Sequence, residues 1–159
     1  MISVDAILYG PQHKLLSSNY FDNSTVIQVG GNDPKKLGKV AKIVEKYGYT
    51  EINLNIGCPS NRVKSGNFGA CLMASPQIVS DCVKSIKNNS NLKVSIKCRI
   101  GIDDMSSLDL DRFVSITSNV GVKKFIIHAR KAILGGLSPK QNREIPPCLL
   151  YTSPSPRDS

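Results

Sequence analysis

Residues 53–73 read Asn-Leu-Asn-Ile-Gly-Cys-Pro-Ser-Asn-Arg-Val-Lys-Ser-Gly-Asn-Phe-Gly-Ala-Cys-Leu-Met. An apolar run passes into a glycine-studded basic loop with a cysteine at its far end. A thiol that chemistry can use is commonly a loop residue held by a rigid scaffold of strands and helices. Cys71 has that placement, between the loop glycines Gly66 and Gly69 and a helix start at Ser75-Pro76. Other polar side chains punctuate otherwise apolar runs. Lys97 lies in Val-Ser-Ile-Lys-Cys-Arg-Ile, and a buried ammonium there requires an anionic neighbour. Gln28 carries an amide that both donates and accepts. His128 closes Phe-Ile-Ile-His, where a lone histidine is ordinarily a satisfied core residue.

Four β-rich runs position these groups: Thr25–Val29, Glu51–Ile56, Lys93–Ile100 and Lys124–His128. Helical patterns separate them. Asp33-Pro34 is an N-cap with proline at the first helical position, and Gly48 can close the helix it opens. Ser75-Pro76 repeats the start signal. A third helix is predicted over about 107–119, followed by Gly121. Strand–helix alternation implies parallel strands with right-handed crossovers.

Period-2 alternation puts Gln28, then Asn53 and Asn55, then Ser95, Lys97 and Arg99, then His128 and Arg130 on one face. The opposite face is aliphatic or aromatic. An open doubly wound sheet would be apolar on both faces. Polar groups on one face, gathered near strand ends, instead fit a (β/α)₈ barrel with its functional groups at the C-terminal mouth. A full barrel takes about 250 residues. This chain has 159. The expected fold is therefore α/β, a partial TIM (β/α)₈ barrel of about four of the eight units, over residues 1–147.

The bulk properties narrow the partners. Net charge is +9, with 15 Lys against 3 Glu, which favours a polyanion such as nucleic acid. No apolar run approaches the roughly 20 residues of a membrane span, and residues 1–10 lack the order of a signal peptide. Five cysteines without paired spacing point to a reducing, cytoplasmic compartment. There is no Cys-x-x-Cys pair or histidine cluster, so no metal site is expected. Residues 148–159 read Cys-Leu-Leu-Tyr-Thr-Ser-Pro-Ser-Pro-Arg-Asp-Ser, which resembles a translated sequencing adapter rather than part of a domain.

Several ordered motifs resemble the tRNA-dihydrouridine synthases. They are Asn-Leu-Asn-Ile-Gly-Cys-Pro-Ser, Gly-Asn-Phe-Gly-Ala-Cys-Leu-Met, Ile-Lys-Cys-Arg-Ile-Gly-Ile-Asp-Asp and Phe-Ile-Ile-His-Ala-Arg-Lys-Ala. The run Gly-Leu-Ser-Pro-Lys-Gln-Asn-Arg-Glu-Ile-Pro-Pro at 136–147 is similar to the A-type branch. The resemblance implies an FMN-bearing barrel followed by a helical RNA-binding domain. It implies a monomer that uses NADPH to reduce a D-loop uridine of tRNA, around positions 20/20a, to dihydrouridine.

Reduction of the uracil 5,6 double bond needs a hydride at one carbon and a proton at the other. The resemblance assigns the proton to Cys71. A thiol of ordinary pKa, about 8.5, is mostly protonated at neutral pH and suits that role. Cys58, in Gly-Cys-Pro, is read as a turn-packing residue, and Cys82 and Cys98 as core. The resemblance assigns Gln28, Lys97 and His128 to FMN, and Lys140 and Arg143 to tRNA. Asn53 and Asn55 are equally suited to lining the site and to shaping its loop. Arg62 and Lys64 extend the basic rim. The target uridine must leave its stack to reach a flavin.

The family's first strand, its later strands with the phosphate-binding glycines and its RNA-binding domain are expected to lie beyond this chain. The chain alone is expected to bind FMN poorly and to be inactive. Two competing readings remain: an FMN barrel that reduces a free pyrimidine, and a non-catalytic RNA-binding remnant.

Overall fold

The computed structural model describes residues 1–17, 24–60 and 65–147. Arg62, Lys64 and the 148–159 tail lie outside the described residues. Five strands form one sheet in the order β1-β2-β3-β4-β5, and every neighbouring pair is parallel. They are β1 (Ile2–Ser3), β2 (Ile27–Gly30), β3 (Glu51–Ile56), β4 (Lys93–Arg99) and β5 (Lys124–His128). The helices between them are α1 (Val4–Tyr9), α2 (Gln12–Leu16), α3 (Pro34–Lys46), α4 (Pro76–Asn89) and α5 (Ser107–Asn119). A 3₁₀ helix spans Gly69–Ala74, and a last short helix, α6, spans Gln141–Glu144. Parallel strands in strictly sequential order, with a helical crossover between each pair, are a segment of a (β/α)₈ barrel.

The four expected strands are present: Glu51–Ile56 and Lys124–His128 match at both ends, and the other two differ by one or two residues at an end. The structure adds β1, which pairs Ile2 with Val29 and Ser3 with Gly30. Two residues are too few to show alternation, so β1 leaves no periodic signal.

The helices form where caps and periodicity coincide. Asp33 accepts hydrogen bonds from the backbone N–H groups of Lys35 and Lys36 at 2.8 and 3.1 Å. Ser106 and Asp109 make a reciprocal capping box on α5, and those bonds hold the Asp109 carboxyl below the usual range. At α4 the proline is in place, but the Ser75 side chain makes no capping bond. The outer face of the sheet packs on the helices through Val29, Ile52, Leu54, Ile96 and Cys98, all nearly or fully buried, against Leu37, Val40, Val83, Ile86 and Phe113. Truncating a buried phenylalanine such as Phe113 to alanine costs about 3–5 kcal/mol. At the edge of the sheet, Ile126 and Ile127 on β5 remain 42% and 46% exposed.

Candidate active site

The inner face of the sheet is polar, as the alternation required. Register places Gln28 beside Asn53, Asn53 beside Ser95, Asn55 beside Lys97, and Arg99 beside His128. Toward the strand N-termini these groups bond to one another. Gln28 Nε2 donates to Asn53 Oδ1 at 2.8 Å, Asn53 Nδ2 to Ser95 Oγ at 2.9 Å, and Ser95 Oγ to Glu51 Oε1 at 2.5 Å. Lys124 Nζ completes the chain on Glu51 at 3.2 Å. Gln28 also accepts from Asn55 Nδ2 at 3.0 Å. Its amide therefore keeps one N–H and one lone pair for any other partner. Glu51 and Lys124 were not among the sequence candidates. Stepping two residues back from Asn53, and four back from His128, would have found them.

At the strand C-termini the same face is cationic. A cavity of about 250 Å³ is lined by Asn55, Cys58, Lys97, Arg99, His128 and Arg143, among others, and no Asp or Glu lines it among the described residues. Lys97 is exposed and has no hydrogen-bond or ion-pair partner among the described residues. The lumen ion pair is made by Lys124 instead. His128 sits within reach of Arg130, whose Nη1 lies 3.3 Å from His128 Nε2. An arginine only donates, so a hydrogen bond here needs this ring nitrogen as the acceptor. Burial first, then the nearby charges of Arg99, Arg130 and Lys97, hold the His128 pKa below 6.5. Arg130 Nε is buried without a partner among the described residues. Basic side chains with no acid among the lining residues fit an anionic group.

Cys71 lies in the 3₁₀ helix, half-buried, and does not line this cavity. Its loop is clasped from three sides. Ala70 N–H donates to Cys58 C=O at 3.0 Å. Asn32 Nδ2 donates to Asn67 C=O at 3.1 Å. The Phe68 ring packs on Gly30, where a Cβ would come within 2.8 Å of it. Gly69 adopts φ +68, a left-handed conformation that favours glycine. Cys58 N–H donates to Asn55 Oδ1 at 3.0 Å, so Asn55 shapes the turn as well as lining the cavity. Cys58 itself lines the cavity, half-buried, with its Sγ 3.4 Å from Ser60 Oγ. Burial pushes the thiols of Cys82 and Cys98 up to about 12 and about 11, and both pack in the core.

Lys140 caps the start of α6 and Arg143 lies within it; both are exposed, and Arg143 alone of the two lines the cavity. The structure thus brings Lys97, His128 and Arg143 around one space. Gln28 sits deeper, in the bonded part of the lumen face, and Cys71 on the adjoining loop. Among the described residues no helix is long and apolar enough to cross a membrane, and no three His, Cys, Asp or Glu side chains converge on a metal-sized site.

Comparison with known proteins gives a consistent picture. A family model described as dihydrouridine synthase matches residues 1–152. A tRNA-dihydrouridine(20/20a) synthase of Synechocystis is 51% identical over 148 residues, covering 92% of this chain and 44% of that protein. Proteins of the same description from Vibrio parahaemolyticus and Escherichia coli K12 are 52% and 50% identical over 149 residues. The same 92% of this chain matches 45% and 43% of them. The chain spans less than half the length of these relatives.

Proposed function

The chain belongs to the dihydrouridine synthase family, and on that premise we propose that it forms the cofactor- and uridine-facing half of an enzyme that reduces uridine to 5,6-dihydrouridine in tRNA. The D-loop positions are those in the relatives' description, 20 and 20a. The observation that carries the reading is the cationic cavity at the strand C-termini, bounded by Lys97, His128 and Arg143 without a carboxylate.

FMN, recharged by NADPH, supplies the hydride when bound. Lys97 would hold the negatively charged part of that cofactor with its ammonium, Gln28 would offer it one N–H and one lone pair, and His128 would offer it a hydrogen bond. Cys71 holds the proton that the other ring carbon of uracil receives, and its clasped loop fixes the thiol's approach. Lys140 and Arg143 grip phosphates of the tRNA, with Arg143 able to bind bidentately. The flipped uridine enters between them and the Cys71 loop. We assign the working enzyme to the cytoplasm and to a monomeric state.

The test is a chimera in which residues 1–147 replace the matching segment of the Escherichia coli relative. It is expected to purify with flavin absorbance and to restore dihydrouridine to tRNA in cells lacking their own enzyme. A folded, flavin-loaded chimera that leaves this uridine unreduced would refute the reading. Reduction of free uracil in its place would assign the barrel to free pyrimidines.

A further inference from the structure

The segment after β5 is held by an anchoring system built on Arg99, one of the cavity-lining residues, and on Asn142. Arg99 is only 4% exposed, yet no carboxylate neutralises it among the described residues. Its guanidinium is spent on backbone carbonyls of three separate segments. Nε donates to Gly57 at 3.0 Å, and Nη1 donates to Lys131 at 3.0 Å and to Asn142 at 3.3 Å. Burying a cation is costly, and a planar fork suits it to holding several acceptors at fixed angles.

Asn142 is fully buried within a four-residue helix. Such a helix has almost no stability of its own. The Asn142 amide closes the loop instead. Its Oδ1 accepts from Ile133 N–H at 2.7 Å, and its Nδ2 donates to the carbonyls of Ile133 and Ser138 at 3.0 and 3.3 Å. Ser138 and Gln141 bond reciprocally across the same turn. The loop is also stitched to the end of β4. Ala132 N–H donates to Gly101, Asp103 N–H donates to Ala132, and Asp103 Oδ1 accepts from Leu134 N–H.

We infer that Arg99 and Asn142 form a latch whose task is positional: it holds the 138–144 arm so that Lys140 and Arg143, on either side of Asn142, meet tRNA phosphates at the cavity rim. Asn142 is fully buried and lies outside the cavity lining, whereas Arg99 lines it. Arg99 ties the arm to the Gly57–Cys58 turn, so the RNA grip and the cavity wall share one anchor. The inference rests on the RNA role proposed above for Lys140 and Arg143.

A double-mutant cycle on the purified chain tests it, with affinity for an unmodified tRNA transcript and limited trypsin digestion as readouts. In the native background Arg143→Ala is expected to weaken tRNA binding about tenfold, the loss of one charge-assisted contact. In the Asn142→Ala background the same change is expected to cost almost nothing, because the arm is no longer held. Trypsin cleavage after Lys140 and Arg143 is expected to accelerate in Asn142→Ala, while cleavage after Lys84 on α4 stays unchanged. Should Asn142→Ala fail to fold, Arg99→Lys provides the same cycle. It keeps the charge but cannot span three carbonyls. An equal Arg143→Ala penalty in both backgrounds overturns the latch and leaves the RNA role standing. A native chain without measurable tRNA affinity overturns the RNA role itself, and with it the task given to the latch.

Discussion

Along the inner face of the sheet, Gln28, Asn53, Ser95, Glu51 and Lys124 satisfy one another at the N-terminal end. Further along β4 and β5, Lys97, Arg99 and His128, with Arg143 from α6, surround a space that no acid lines among the described residues. Both ends are polar and both descend from the same period-2 pattern. They differ in charge balance: the first network carries its own acid, Glu51, whereas none lines the second among the described residues. A closed network stabilises the fold, whereas a basic rim on which Lys97 has no partner among the described residues is poised for something that arrives from outside. Lys97 lines both the cavity and the space above the network, so it marks the boundary.

Substitutions can break this contrast. The largest effect is expected at the open end. In the chimera, Cys71→Ala, on the loop adjoining that end, removes the proposed proton donor and should slow uridine reduction by about 10²–10⁴-fold, measured in single turnovers with reduced flavin. Cys58→Ala should change that rate far less. Equal losses would remove the distinction drawn between the two thiols.

One substitution applied at both ends sharpens the comparison. Glu51→Leu takes the acceptor from Ser95 and Lys124 and should cost about 1–3 kcal/mol in urea unfolding of the chain. Lys97→Leu takes nothing from a partner and should leave stability within about 0.5 kcal/mol. Flavin content of the chimera should show the reverse order, with the loss at Lys97. If the lysine variant proves the less stable, Lys97 belongs to the network after all.

The smallest effect is a pH dependence. His128 resists protonation in the folded chain, so its folded pKa lies below 6.5. The unfolded chain then binds a proton that the folded chain refuses. Stability from this group is complete above about 6.5 and declines as pH falls through the window beneath it. His128→Gln should flatten that part of the stability profile. An unaltered slope would assign the decline to other groups.

Most of the framework was legible because it is periodic. Leu37, Val40, Ala41 and Val44 spell α3, and the alternation 51-53-55 against 52-54-56 spells β3. Two kinds of feature escaped. β1 and α6 are too short to carry a period, and each exists because of what it pairs with or is bonded to. The other is connectivity: composition cannot say that Asn53 is spent on Ser95 while Lys97 goes unpartnered. That distinction needs the strand register, which only the paired sheet supplies. Arg99 was read as one more lumen-facing polar residue, and Asn142 drew no notice, because a buried amide and a solvated one look alike in sequence.

Arg99 holds Gly57, Lys131 and Asn142 only through their carbonyl oxygens. Every residue type offers that atom, so the bonds of Arg99 do not read which residues they hold; at Asn142 the side-chain amide makes separate bonds that close the arm. Exposed neighbours such as Lys140 and Arg143 can therefore change side chain without loosening the arm, and with the RNA role proposed for them the grip is replaceable while its anchor stays fixed.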